Sequence, residues 1–297
     1  MARSSLLLVP AVALAAAITA PAGATAADVP TCLGVPATIV GTAGDDDLIG
    51  TDGPDVIAAG GGVDHVWARG GDDIVCLSGP TDRIVYAPVP EGEMLERTFE
   101  RAEGGAGNDR MVGSRGPGTV LAGYGADEIW MISDARAMED EGFVDLFHGA
   151  IARGGPGDDV LHGNDAMDLL AGGLGDDVIT SEGAFSPYVH DALIGGPGDD
   201  RILAGPSDDI LYGSRGSDVL DGGAGDDEIR ADNRWHGTDA GMFGDDVLIG
   251  GPGADGLYGG GGHNTSDGGT GFDECMLPGP GEGATDCERL GSYAGQH

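Results

Sequence analysis

The sequence predicts an all-β protein made of short repeats stacked on one another, a β-solenoid. A glycine-rich nonapeptide recurs in about 19 copies between residues 41 and 276, and its eighth position is aliphatic or Met in all but two of them. A repeat of fixed length is typical of solenoids, because each unit can bury its apolar side chain only against its neighbours.

The composition of the chain restricts the classes of molecule that it can bind. The 297 residues include 59 Gly and carry a formal net charge of −37. Nucleic acid and anionic membrane surfaces would repel such a chain, so cations are its natural partners. High charge with few aromatic residues is typical of disorder, but 40% hydrophobic residues is too many for a disordered chain. We therefore expect order that depends on a ligand.

The N-terminus has the pattern of a secretory signal peptide over residues 1–26. Arg3 precedes an apolar run, and the small residues Ala24 and Ala26 precede a cleavage site placed after Ala26 or Ala27. No later segment is apolar enough to span a bilayer. We expect a soluble, secreted, extracellular protein, with an N-terminal cap at 27–40 and a C-terminal cap or tail at 277–297.

Four cysteines lie near the two ends of the mature chain. An even number in a secreted protein favours disulfides, with three possible connectivities. We favour Cys32–Cys76 and Cys275–Cys287 as the bridges that fasten the caps. Free thiols remain an alternative, whereas a zinc site is disfavoured because no CxxC pair is present.

The repeat follows the pattern G-G-x-G-x-D-x-U-x, where U is apolar. It occupies 41–85, 104–130, 154–180, 195–230 and 241–276, and its sixth position is Asp except at Gly118 and Asn264. We interpret the interruptions 86–103, 131–153, 181–194 and 231–240 as irregular coils of the same stack. In the third of them, Asp191 and Leu193 restore the pattern. A helix over 91–103, with Glu93 and Arg97 one turn apart, is the rival interpretation of the first.

Each nonapeptide divides into a six-residue turn and a three-residue strand. Side chains alternate along a strand, so the eighth residue faces one side and the seventh and ninth face the other. Stacking then creates one long, narrow core. The first block places these residues in it: Leu48, Ile57, Val66, Val75 and Ile84.

This nonapeptide resembles the hemolysin-type, or RTX, repeat over most of the mature chain. The resemblance implies a parallel β-roll in which two nonapeptides form one turn of the roll and Ca²⁺ ions lie between stacked turns. Sixth-position aspartates and nearby main-chain carbonyls are the ligands in that family. Carried over to this sequence, the metal ligands are Asp46, Asp55, Asp64, Asp73, Asp82, Asp109, Asp127, Asp159, Asp168, Asp177, Asp191, Asp200, Asp209, Asp218, Asp227, Asp246, Asp255 and Asp273.

The resemblance also implies which aspartates stack, since residues on the same side of the roll recur every 18 positions. Asp246 should face Asn264, and a site at Gly118 should be weak or missing. The nine predicted pairs are Asp46–Asp64, Asp55–Asp73, Asp64–Asp82, Asp109–Asp127, Asp159–Asp177, Asp191–Asp209, Asp200–Asp218, Asp209–Asp227 and Asp255–Asp273.

These observations predict a non-enzymatic, secreted calcium-binding protein that folds on binding Ca²⁺ and has a structural, adhesive or ion-sequestering role. Carboxylates and carbonyls of Gly-rich turns supply the hard oxygens that Ca²⁺ prefers. The toxin, protease and lipase activities found with such repeats are not carried over, because the repeats make up nearly the whole chain.

The alternative is a secreted hydrolase with a degenerate site in the irregular coils, for example around His148. No HExxH or G-x-S-x-G motif supports it. Four aromatic residues at the ninth position should face outward: Trp67, Trp130, Tyr212 and Tyr258. They are typical strand residues, and a surface that binds cell-wall or extracellular glycans or proteins is the functional alternative.

Overall fold

The computed structural model describes residues 29–77, 100–113, 118–132, 151–181, 190–232, 244–276 and 283–291. These residues form 26 β-strands and no helix, which confirms the all-β prediction. The predicted signal peptide lies outside them. In this part of the chain, no helix is long and apolar enough to cross a membrane.

The strands fall into a small hairpin and two long sheets. The hairpin consists of β1 (Thr31–Cys32) and β2 (Val35–Pro36). Sheet I contains the odd-numbered strands β3 (Ile39–Val40), β5 (Val56–Ala58), β7 (Ile74–Cys76), β9 (Arg110–Val112), β11 (Glu128–Trp130), β13 (Val160–His162), β15 (Val178–Thr180), β17 (Arg201–Leu203), β19 (Val219–Asp221), β21 (Val247–Gly253), β23 (Thr265–Gly271) and β25 (Gly283–Thr285).

Sheet II contains the even-numbered strands β4 (Asp47–Ile49), β6 (His65–Gly70), β8 (Glu100–Ala106), β10 (Gly118–Tyr124), β12 (Ile151–Pro156), β14 (Leu169–Leu174), β16 (Ala192–Pro197), β18 (Ile210–Arg215), β20 (Glu228–Asp232), β22 (Gly256–Tyr258), β24 (Glu274–Met276) and β26 (Arg289–Gly291).

Both long sheets are parallel, and the chain alternates between them. Leu211 lies opposite Ile229 in sheet II, and Ile57 lies opposite Val75 in sheet I, each pair 18 residues apart. Two nonapeptides therefore form one coil, with one strand in each sheet. This confirms the predicted parallel β-roll.

The core lies between the sheets and consists mainly of eighth-position side chains, with first-position residues such as Leu77 and Met131 among them. Ile57, Val66 and Val75 are buried as predicted, and Leu48 packs at the open N-terminal end of the core. Ile84 lies outside the described residues. The remaining eighth-position core residues are Met111, Val120, Ile129, Leu161, Leu170, Ile179, Leu193, Ile202, Leu211, Leu220, Ile229, Leu248, Leu257 and Cys275.

The interruptions change the spacing between rungs, although three of them end in the sheet II strands β8, β12 and β16. β6 pairs directly with β8. On the sheet I side of the same interruption, Asp73 and Asp109 occupy adjacent coils and are 36 residues apart. The corresponding spacing is 32 across 131–153, 23 across 181–194 and 28 across 231–240. The spacing across an interruption is thus not the 18 residues of a regular coil; the rest of each interruption lies outside the described residues.

Regular strands also extend into the predicted interruptions. β8 begins at Glu100, so the helix considered over 91–103 does not extend through its last residues. β12 begins at Ile151, and Leu193 is fully buried in β16 as its place in the repeat predicted.

Both predicted disulfides are present, one starting from the core and the other from the outer face of sheet I. Cys275 is buried in the core and bonds to Cys287 of the last coil, with their Cα atoms 6.0 Å apart. Cys76 faces outward from sheet I and bonds to Cys32, with a Cα separation of 5.6 Å. The hairpin therefore folds back on β5 and β7 rather than covering the end of the core.

Glycine at the fourth position allows the turns of successive coils to stack closely. Gly157 has φ +149°, and a Cβ placed on it would lie 1.5 Å from the Gly125 carbonyl oxygen of the neighbouring coil. Gly44 has ample space, since a Cβ there would lie 3.9 Å from its nearest neighbour, the Thr42 Oγ1.

We predict that Gly157→Ala destabilises the roll and that Gly44→Ala does not. The left-handed backbone alone costs about 1–2 kcal/mol for an L-residue, and the overlap with Gly125 adds to it. Thermal unfolding of the calcium-loaded variants measures the difference. Equal melting temperatures for the two variants would contradict the close stacking of the turns.

Candidate metal-binding turns

Each sixth-position aspartate stands at the end of a turn, immediately before a strand, and its carboxylate links two coils. The Oδ1 atom accepts a hydrogen bond from the main-chain N–H of the sixth residue in the preceding coil. For example, the Asp159 amide donates to Asp177 Oδ1 at 2.8 Å. The turns thus form two ladders, edge I leading into sheet I and edge II leading into sheet II.

Edge I is continuous. Its hydrogen bonds, all 2.8–2.9 Å long, cross every interruption of the repeat. In order, its members are Asp55, Asp73, Asp109, Asp127, Asp159, Asp177, Asp200, Asp218, Asp246 and Asn264.

Edge II is divided into two runs. Asp46 and Asp64 form the first run. At the next three sheet II strands, β8, β10 and β12, the sixth position of the repeat is not Asp but Glu100, Gly118 and Ala150. The second run consists of Asp168, Asp191, Asp209, Asp227, Asp255 and Asp273, and ends on Glu288, whose Oε2 accepts the Asp273 amide.

The structure brings together eight of the nine predicted pairs; the pair Asp64–Asp82 is wrong. β6 pairs with β8, and the Arg101 amide donates to the Asp64 carbonyl oxygen, so Glu100 follows Asp64 in the stack. Asp82 lies outside the described residues. The sequence also could not supply the steps across interruptions, such as Asp127 to Asp159, because their spacing departs from 18.

The second carboxylate oxygen, Oδ2, has no hydrogen-bond partner in most of these turns, although it is fully buried. A buried polar atom without a partner costs about 1–3 kcal/mol, and more when it is charged. Among the described residues, the aspartates with such an atom include Asp73, Asp109, Asp127, Asp159, Asp177, Asp200, Asp209, Asp218, Asp227, Asp246, Asp255 and Asp273.

Burial has the expected effect on acidity. Desolvation raises the pKa of Asp109, Asp159 and Asp200 to about 7, and neighbouring carboxylates raise it further while the amide hydrogen bond lowers it. The pKa of Asp227 is raised most, to about 8, for the same reasons. The charged ladder is therefore unfavourable unless a proton or a cation accompanies it.

Main-chain carbonyl oxygens of the same turn lie within reach of the sixth-position side chain, as the Asn264 turn shows. In the turn that ends on Asn264, the side-chain Nδ2 donates to the carbonyls of Gly259 at 2.5 Å and Gly261 at 2.8 Å, the first and third residues of the repeat. Within the described residues, no three His, Cys, Asp or Glu side chains converge to hold a metal ion. A cation here would thus rely on one or two carboxylates and on carbonyls.

This donor set fits Ca²⁺. The ion takes six to eight hard oxygen ligands in flexible geometry, and main-chain carbonyls are common among them. The buried Oδ2 atoms that lack a donor are where a cation would relieve the largest unfavourable energy. The sixth-position aspartates and the carbonyls of their turns would hold the ion, which would supply positive charge and not a reacting group.

A second column of polar side chains occupies the fifth position, and sequence reasoning missed its role. Asp158 is exposed, and its Oδ1 accepts the Asp176 amide of the next coil at 3.0 Å. Asp45 accepts the Val63 amide in the same way at 2.9 Å. The frequent Asp or Asn at this position was the available signal.

The outward aromatic residues form ladders along the sheets. Trp130 lies between the Arg110 guanidinium, 5.3 Å from the ring centroid, and the stacked ring of His162 at 5.8 Å. Arg230 lies 5.0 Å from the Tyr258 ring. Both sides of the Trp130 ring are thus occupied by neighbouring rungs, which gives this residue a role in sheet stability and argues against sugars stacking on it.

Comparison with known proteins agrees with the geometry. The family model of the RTX calcium-binding nonapeptide repeat matches residues 40–75, 103–130, 151–182, 191–232 and 241–275, more than half of the chain. The chain belongs to the RTX calcium-binding repeat family. It is a calcium-binding repeat protein, and the predicted resemblance is confirmed. No curated protein matches the chain. His148, considered for a hydrolytic site, lies outside the described residues of this RTX protein.

We predict that the metal-free protein folds in mild acid. Below the unfolded-state pKa of 3.8, the buried carboxyls are neutral in both states and their full contribution to stability is present. That contribution is lost as the pH rises through the folded-state values of about 6–8. Far-UV circular dichroism of metal-stripped protein from pH 8 to pH 4 measures it. A transition centred near pH 4 would contradict the raised pKa values.

Proposed function

We propose that this RTX protein is a secreted, non-enzymatic structural protein whose roll assembles when Ca²⁺ occupies the two ladders of turns. The observation that carries the proposal is the series of buried aspartate Oδ2 atoms without a hydrogen-bond donor. The metal-free roll would hold these charges unpaired at neutral pH, so folding and ion binding become one event.

The charge of the chain supports the same function. A net charge of −37 favours the expanded chain through self-repulsion, and each bound Ca²⁺ removes two negative charges. Extracellular calcium modules bind with dissociation constants of about 10⁻⁴–10⁻³ M. Such affinities would leave the chain unfolded at low intracellular calcium and fold it outside the cell.

An extracellular location is supported by two features of the chain. The first 26 residues have the pattern of a signal peptide. The bridges Cys32–Cys76 and Cys275–Cys287 are typical of proteins in oxidising compartments.

A structural role is favoured over an enzymatic one by how the described residues are used. Eighth-position side chains fill the space between the sheets, and the sixth-position carboxylates bind main-chain amides of the adjacent coil. These carboxylates are therefore committed to holding coils together. Cell-wall or extracellular glycans and proteins are the partners that we propose for the outer faces of the sheets.

We predict that Asp159→Ala raises the calcium concentration needed for folding and that Asp158→Ala does so much less. The two substitutions remove the same charge and one hydrogen bond each, which Asp159 accepts from the Asp127 main-chain amide and Asp158 accepts from the Asp176 main-chain amide. Only Asp159 contributes a buried Oδ2 without a donor. Loss of one ion costs about 1.4 kcal/mol when Ca²⁺ is tenfold above its dissociation constant.

The measurement is a calcium titration of each variant and the parent, followed by far-UV circular dichroism. Equal midpoints for the two variants would mean that total charge, and not the buried carboxylate, governs folding. That result would overturn the proposed ligand role of the sixth-position aspartates.

A further inference from the structure

Some turns already contain a donor for the atom that lacks one elsewhere. In the first two repeats, Thr42 donates its amide and hydroxyl to Asp46 Oδ2 at 2.6 and 2.8 Å, and Thr51 does the same for Asp55 at 2.6 and 2.9 Å. The Asn164 amide donates to Asp168 Oδ2 at 2.6 Å. In these turns, protein groups alone supply the donor that Oδ2 lacks elsewhere.

Their backbone differs accordingly. Thr42, Gly44, Thr51 and Gly53 have no positive φ, whereas the turns with a donor-free Oδ2 commonly have two left-handed residues, such as Gly196 (φ 128°) and Gly198 (φ 153°). A threonine at the second position thus goes with a turn that directs its own donors at the carboxylate.

The Asn264 turn has the same backbone conformation as the turns whose Oδ2 lacks a donor, but its side chain carries a donor of its own. Gly260 (φ 77°) and Gly262 (φ 87°) are both left-handed there, and the Asn264 Oδ1 accepts the Asp246 amide as an aspartate would. The remaining side-chain atom is a nitrogen that donates to Gly259 and Gly261, both carbonyls of the same turn. An aspartate oxygen at this position would face those carbonyls with no hydrogen to donate.

We propose that the turns of this roll form two classes. The turns whose sixth-position Oδ2 has a protein donor, which end on Asp46, Asp55, Asp168 and Asp191, and the turn that ends on Asn264 bind no metal; the donor to Asp191 is the Ser181 hydroxyl, at 2.6 Å. In the Asn264 turn, the side-chain amide takes the place of the cation. This inference rests on the proposed function, since it divides the calcium sites of the roll into those that need the ion and those that do not. The class is decided by whether a protein donor reaches Oδ2, or replaces it as in Asn264.

Two exchanges of a single side-chain atom test the proposal. Asn264→Asp removes the amide donor and should create a calcium site, so the number of Ca²⁺ ions bound per chain should rise by one. Asp200→Asn supplies the donor in a turn that lacks one, so the number should fall by one while the roll stays folded. Equilibrium dialysis at saturating Ca²⁺ followed by elemental analysis counts the ions.

Asp199→Asn is the matched control, because it changes the same charge beside Asp200 and keeps the oxygen that accepts the Ser217 amide. Its ion count should equal that of the parent. Far-UV circular dichroism at the same calcium concentration shows that each variant is folded.

A second measurement distinguishes a turn that no longer needs the ion from a turn whose calcium site has simply been destroyed. In the metal-free state at pH 7, Asp200→Asn should retain more β-structure than the parent, whereas Asp200→Ala should not. An unchanged ion count in folded Asn264→Asp or in Asp200→Asn would overturn the two classes. A parent protein that binds no Ca²⁺ at all would overturn the proposed function itself.

Discussion

The structure depends on one unfavourable arrangement: a carboxylate buried between stacked turns with one oxygen bonded and the other without a donor. Oδ1 accepts a main-chain amide, which fixes the spacing of the coils, while Oδ2 is buried without a hydrogen-bond donor. Because the same arrangement recurs along both edges, its energy is multiplied over the length of the roll. Cations bound in these turns would therefore stabilise the whole fold and not a single site.

The two edges are unequal, and the difference lies in the N-terminal half. Edge I continues from Asp55 to Asn264 through every interruption. Edge II lacks its aspartate at the three strands that follow Glu100, Gly118 and Ala150. Between Asp64 and Asp168 the roll is thus supported by one column of acidic turns, and in its C-terminal half by two.

Much of this was predictable because the repeat has strict periodicity. The eighth-position core, the parallel coils of two repeats and most aspartate pairs follow from a spacing of 18 residues, as Val75 and Asp177 illustrate. The spacing across the interruptions was not predictable, because neighbouring rungs are joined by residues 36 positions apart at Asp73 and Asp109 and 23 positions apart at Asp168 and Asp191. Asp64 therefore precedes Glu100 in the ladder, although its sequence spacing pointed to Asp82.

The hydrogen bonding of each carboxylate was the other feature that the sequence could not predict. Sequence identifies a carboxylate but not whether its two oxygens find donors, and this depends on the conformation of the turn. Asp55 and Asp73 occupy the same position of the repeat, yet Thr51 satisfies the first and the second has a buried oxygen without a partner. The column of fifth-position side chains is a further example, because the sequence shows that Asp158 is acidic but not that it accepts the main-chain amide of the next coil.

The central claim is that cations reside at the buried sixth-position oxygens. Anomalous diffraction from crystals grown with Ca²⁺ would test it most directly. The account predicts ordered ions within coordination distance of aspartates such as Asp109, Asp159 and Asp200, and of carbonyls in their turns. Ordered ions found only on exposed fifth-position carboxylates such as Asp158, with none inside the ladders, would contradict it.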